Sequence, residues 1–210
     1  MKTMLAFFIA CVVLGSCKPD PLQYRIRGEV YEGGTSGPHL GGQVKLLTKS
    51  VQDGVLQDYF VESASMGIEG DGSYGLDFDI SNLLACRLIA QDNNYYSDTV
   101  DISPDAIRNA NPFTQNFRLY KTASVRVHLV RTGTYANVNF NWVNANFQCD
   151  CCSNATRNFP GLTDTTFACP VYGEYWLKYF VLINSTSGTT TVSDSIYCQP
   201  YQENLLELNL

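Results

Sequence analysis

The sequence predicts an all-β protein built from two tandem antiparallel β-sandwich domains behind a cleaved N-terminal leader. Three observations lead there. Past residue 16, apolar residues hardly ever recur at the three- and four-residue spacing of a helix. Short runs of β-branched and aromatic residues recur instead, punctuated by Gly, Asn, Asp and Ser, as sandwich strands and their turns require. These runs form two sets, over residues 24–121 and 122–210, each long enough to close its own core.

Element by element, the chain opens with Met1-Lys2-Thr3 and the apolar run "MLAFFIACVVLG". A bilayer-spanning helix needs about 20 apolar residues, so residues 1–16 read as a signal peptide rather than an anchor helix. Residues 17–23, with Pro19 and Pro21 disfavouring helix, read as a short extended tether. The first set of strands is "YRIRGEVY", "GQVKLLT", "DYFVES", "GSYGLDFDI", "CRLIAQD", "SDTVDIS" and "TQNFRLY". Within "GDGSY", Asp71-Gly72 supplies a hairpin turn, because Gly tolerates positive φ and Asp bonds locally. "SPDAIRNA" predicts one helical turn capped by Ser103, with Pro104 first and Asp105 near its positive end.

The second set is "SVRVHLVR", "NVNFNWV", "EYWLKYFVLI", "TTTVSDSIY" and "LLELNL". In the first of these, Val125, Val127 and Leu129 share one face, and Arg126, His128 and Val130 the other. In the second, Val138, Phe140 and Trp142 alternate with Asn137, Asn139 and Asn141. Burying a Phe or Trp side chain stabilises by roughly 2–3 kcal/mol, so the aromatic face is expected inward and the asparagine row outward. Tyr120 closes one set and Ser124 opens the next, so the two domains are expected to meet with little linker.

Leu14-Gly15-Ser16-Cys17 resembles the lipobox of bacterial lipoproteins. That resemblance implies cleavage before Cys17 and acylation of Cys17, palmitate being the expected chain, with the membrane as a partner. Cleavage removes Cys11; with Cys17 lipidated, Cys86, Cys149, Cys151, Cys152, Cys169 and Cys198 remain, an even set suited to an oxidising compartment. More than one acyl chain gives stable anchoring. Lys18 stands where an inner-membrane retention signal of such lipoproteins would place Asp, so the expected address is the outer membrane, on its periplasmic or cell-surface face.

The first set also resembles the carboxypeptidase regulatory-like domain, a transthyretin-like sandwich. Gly28-Glu29-Val30, "LGGQVKL" (Leu40 to Leu46), "GDGSY" (Gly70 to Tyr74) and "CRLIAQDNNYYSDTV" carry the likeness, although Leu47 to Gly70 is longer than the family pattern. The second half resembles that of small Gram-negative surface lipoproteins, which implies a further transthyretin-like or Ig-like sandwich and no activity.

Chemistry is sparse. The formal charge of −6 and the lack of a basic run exclude nucleic acid as a partner. His39 and His128 fit no zinc motif and are expected at the surface; no nucleophile elbow or phosphate-binding glycine loop occurs. The chain is therefore expected to be no enzyme and to carry no cofactor or metal. Glu69, Asp71, Asp77 and Asp79 lack the terminal acid of a calcium loop and read as a solvated hairpin. In "FQCDCC", the spacing fits neither a zinc site nor a thioredoxin-type centre, so disulfides are expected, with Cys151 and Cys152 pointing to different partners. Cys86 is expected either to cross between domains or to stay unpaired, leaving a second-domain cysteine unpaired too.

Asp98-Thr99-Val100, Asp164-Thr165-Thr166 and Asp194-Ser195-Ile196 resemble the O-glycosylation sequon of some Gram-negative lipoproteins, making Thr99, Thr165 and Ser195 candidate acceptors. Sugar sites combine amides with aromatic platforms, so Asn137, Asn139 and Asn141 with Tyr95, Tyr96, Tyr135, Tyr172 and Tyr201, in or beside loops, are the candidate ligand-binding residues. The functional expectation is a non-enzymatic outer-membrane lipoprotein, a binding or assembly module with an envelope protein or glycan as partner. The alternative is a glycan-binding lipoprotein of a polysaccharide-uptake system.

Overall fold

The computed structural model describes residues 23–52, 55–79, 83–134, 136–145, 147 and 149–210. The leader, Cys17, the tether up to residue 22 and Tyr135 lie outside the described residues. The described chain is all-β apart from one short helix. Among the described residues no helix is long and apolar enough to cross a membrane.

In chain order the first half contains β1 (Gln23–Glu32), β2 (Gln43–Gln52), β3 (Val55–Leu56), β4 (Val61–Gly67), β5 (Ser73–Asp79), β6 (Leu83–Gln91), β7 (Tyr95–Tyr96), β8 (Asp98–Ile102), α1 (Pro104–Asn109) and β9 (Phe113–Thr114). One sheet sets β1 between β5 and β9; the other pairs β2 with β3, β4 and β6, and β6 with β8. Alternation does the packing: Ile26 and Val30, Leu76 and Phe78, and Cys86, Leu88 and Ala90 point into one shared core, which Ile107 of α1 also enters. Ser103 caps α1 as expected, its Oγ accepting from the Asp105 amide at 3.2 Å.

The second half contains β10 (Phe117–Val130), β11 (Asn137–Trp142), β12 (Arg157–Pro160), β13 (Asp164–Tyr172), β14 (Tyr175–Ser185), β15 (Gly188–Cys198) and β16 (Glu203–Asn209). One sheet runs β12-β11-β14-β15, and β13, β10 and β16 form the facing layer. Between them lies a second core of Val125, Val127, Leu129, Val138, Phe140, Trp142, Leu177, Tyr179 and Val181. β12 and β13 are absent from the sequence-derived strands. β12 is four residues long and ends at Pro160, and β13 carries Pro170, a residue that argues against a strand unless the strand is at an edge.

One expectation needs correction: most ladders are antiparallel, but β1–β9, β1–β10 and β10–β16 are parallel. Between the two cores there is no separate linker. β10 is one continuous strand whose odd-numbered residues face inward throughout: Phe117 and Leu119 enter the first core, and Ala123, Val125, Val127 and Leu129 the second. Lys121 occupies the seam on the same face.

Candidate functional site at the seam between the cores

Four of the tyrosines expected in loops converge at this seam. Tyr95 and Tyr96 form β7, paired to Lys121 and Tyr120 of β10, and the Tyr96 hydroxyl donates to the Ala123 carbonyl at 3.3 Å. Tyr172, at the end of β13, is buried and stacks on Tyr120 with centroids 4.0 Å apart. It also meets Tyr96 at 5.5 Å and Phe147 at 4.6 Å. Tyr201 donates its hydroxyl to that of Tyr95 at 3.2 Å. Only Tyr201 among these four is well exposed, so they do not form the open platform expected of a sugar site.

Beside the rings lies a polar clasp. His39, expected at the surface, is 1 % exposed; its Nδ1 lies 2.8 Å from Glu32 Oε2 and its Nε2 3.0 Å from Asp92 Oδ2. Each ring nitrogen thus faces a carboxylate oxygen, and the ring sits edge-on to Tyr95. Glu32 Oε1 accepts from the Tyr95 hydroxyl at 3.1 Å and lies 3.2 Å from Lys121 Nζ, which in turn lies 2.8 Å from Glu174 Oε1. Lys121 therefore ties an acid of the first half to an acid of the second. Burial pushes the Glu32 carboxyl up, but hydrogen bonds from His39, Lys121 and Tyr95 outweigh it and hold the group below the usual carboxylate range. Burial also pushes the Tyr95 phenol well up, with Tyr201 and Glu32 adding to it.

The backbone is shaped to let these groups meet. A Cβ on Gly33 would lie 2.4 Å from the Tyr120 ring, and one on Gly173 would lie 2.7 Å from Pro200. Among the described residues, the non-glycine positions with positive φ are Asn94, Glu174 and Tyr201, all at this seam. Their turns converge on β10: the Thr122 amide donates to the Asn94 carbonyl at 2.8 Å, and the Thr122 carbonyl accepts from the Tyr201 amide at 2.7 Å. The site binds the two halves to each other, and its polar groups are engaged in doing so.

The asparagine row lies elsewhere, on β11 in the four-stranded sheet. The alternation is as expected, but Asn141 is buried and accepts from Thr156 Oγ, at a normal hydrogen-bond distance of 2.5 Å. Asn137 and Asn139 are half-buried beside Asn184 and Leu182 of β14. Amides and tyrosines thus do not form one site. Of the candidate glycan acceptors, Thr99 is exposed and Thr165 and Ser195 are half-buried. His128 stays near the surface, 2.9 Å from Asp164.

The cysteines divide differently from a six-membered disulfide set. Cys149 bonds Cys151 and Cys152 bonds Cys169, so the adjacent Cys151 and Cys152 do take different partners. Cys86 and Cys198 are buried free thiols, one in each core, each pushed up to about 11 by burial. Neither half offers the other a sulfur.

No family model matches this chain, and no curated protein matches it. Solved structures give distant likenesses. The Bacillus anthracis TIE protein has a TM-score of 0.36 at 8% identity over 90% of this chain, which spans only 34% of that protein. The shaft pilin SpaA from Lactobacillus rhamnosus GG has 0.34 at 8% identity, over 90% of this chain and 98% of that one. The tip fimbrial protein Mfa3 from Porphyromonas gingivalis has 0.32 at 9% identity, over 83% and 82%. At such scores no family and no activity follows from them.

Proposed function

We propose that this protein is a non-enzymatic lipoprotein of the outer membrane, anchored through Cys17, that acts as a stiff two-domain assembly module at the cell envelope. The observation that carries this reading is the parallel register of β1 and β10, Val30 to Glu32 lying beside Phe117 to Leu119. Five residues lie between Cys17 and Gln23, six Cα steps with a reach of at most about 20 Å, so β1 starts close to the anchor and, in this reading, leads away from it. β10 takes up the same direction where β1 ends and carries the chain on to Val130. The clasp at Lys121 and the tyrosine stack then hold the second sandwich out from the membrane, where a partner can reach it.

Two measurements test this. Metabolic labelling with a palmitate analogue should mark the wild-type chain in the outer-membrane fraction and fail to mark Cys17→Ser. Affinity purification should then recover a stoichiometric envelope protein. Absence of label, or turnover of an ester, peptide or glycoside substrate, overturns the reading. The glycan alternative retains only the half-buried Asn137 and Asn139 face, because Tyr95, Tyr96 and Tyr172 are taken up by the seam. Tight binding to one oligosaccharide on a glycan array, lost on changing those asparagines, would restore it.

A further inference from the structure

The sheet edges of this protein are not alike. A strand at an edge leaves a row of unpaired amides and carbonyls, and natural edges are blunted by brevity, proline, charge or a bulge. β12 has four residues, with Arg157 and Pro160. β13 carries Pro170 and Asp164, β16 carries Glu203 and Glu207, and β8 has five residues with Asp98 and Asp101. The β2–β4 ladder is interrupted by a register shift at Leu46/Leu47.

β15 has none of these devices except one charge. It runs eleven residues, "GTTTVSDSIYC", without proline, lysine or arginine. Among the described residues it pairs with β14 alone, in unbroken register from Cys198 to Gly188. Thr189, Thr190, Thr191, Ser193 and Asp194 are exposed, and Trp176, 58% exposed, lies 5.3 Å from the Tyr197 ring at the end of the strand.

We propose that β15 pairs edge to edge with β15 of a second copy of this chain, antiparallel about Val192. This deepens the assembly reading above by naming the partner. The strand is complementary to itself in that register. Residues whose numbers lie symmetrically about Val192 face each other, so Asp194 meets Thr190 of the partner copy and Thr190 meets its Asp194. The single negative charge is thus set opposite a hydroxyl donor and never opposite its own copy, which is the condition for an isologous twofold contact. Thr191 and Ser193 meet on the opposite face. The result is a sheet continuous across the twofold axis, with no edge left at β15.

The test uses residues 18–210, which retain every described element, exported behind an unrelated signal peptide and studied by analytical ultracentrifugation across a concentration series. A reversible dimer is expected. Thr190→Asp sets like charges together twice per dimer and should weaken it by roughly tenfold, whereas Thr190→Lys supplies an opposite charge and should hold or tighten it. A chain that stays monomeric at all concentrations overturns the self-pairing while leaving capture of a different envelope protein to decide the assembly reading. A dimer indifferent to both substitutions overturns the β15 register.

Discussion

Tyr120 and Tyr172 lie face to face, centroids 4.0 Å apart and planes only 9° from parallel, although one belongs to the strand entering the seam and the other to the strand leaving the second core. Such a pair contributes about 0.5–1.5 kcal/mol beyond its buried area. Here it ties the second sandwich to β10 beside the Lys121 clasp.

Tyr120→Ala is expected to cost about 2–3 kcal/mol and to divide a single urea transition into two, since each core keeps its own hydrophobic set. Tyr120→Phe preserves the ring and should change stability by less than about 0.5 kcal/mol. One cooperative transition in the alanine variant would mean that β10 alone couples the halves.

Gly33→Ala should destabilise by about 1–3 kcal/mol, because its Cβ would lie 2.4 Å from the Tyr120 ring and 2.8 Å from the Leu119 carbonyl oxygen. Gly70→Ala, with nothing within 4 Å of the new atom, is the matched control and should be nearly neutral. Equal effects in chemical denaturation would contradict the packing described at the seam.

The depressed Glu32 carboxyl makes a signed prediction. A group held below its unfolded value of about 4.5 adds stability that is fully present above that pH and is lost as pH falls through the folded value. Unfolding free energy should therefore drop below about pH 4.5, and Glu32→Gln should flatten that part of the profile while lowering stability at neutral pH by about 2 kcal/mol. A profile of unchanged slope in the variant would place the acid sensitivity elsewhere.

Thiol chemistry gives the fourth. Native protein should leave Cys86 and Cys198 unlabelled by a thiol reagent, because both are buried and their thiols are pushed up to about 11; unfolding without reductant should expose two. Reducing Cys152–Cys169, which closes a loop of 17 residues, should cost about 3 kcal/mol, and Cys149–Cys151, two residues apart, far less.

The strands were legible wherever one face meets a core. "SVRVHLVR" and "NVNFNW" alternate as written, and Ser103 announces its helix. What stayed hidden depends on residues far apart in the chain. Tyr201 reaches Tyr95 across 106 positions, and His39 finds Asp92 across 53, so no local pattern distinguishes them from surface residues. Lys121 resembled the end of a strand because a cation breaks the apolar alternation; its two acids come from the end of β1 and from the turn between β13 and β14, whose meeting is a property of the topology. Asn141 followed its parity but was covered by Thr156 from an irregular stretch.

The unbroken run of β10 also bears on how the molecule carries load. If the chain is held near Gln23 and pulled by whatever grips the second sandwich, tension enters β1 lengthwise and passes to its neighbours through the Gln23–Glu29 ladder with β5 and the Val30–Glu32 ladder with β10. Both ladders lie along the pull, so their hydrogen bonds are sheared together instead of being unzipped one at a time. A tether built this way resists traction at its base, and the first part to give under force would be a strand outside that line.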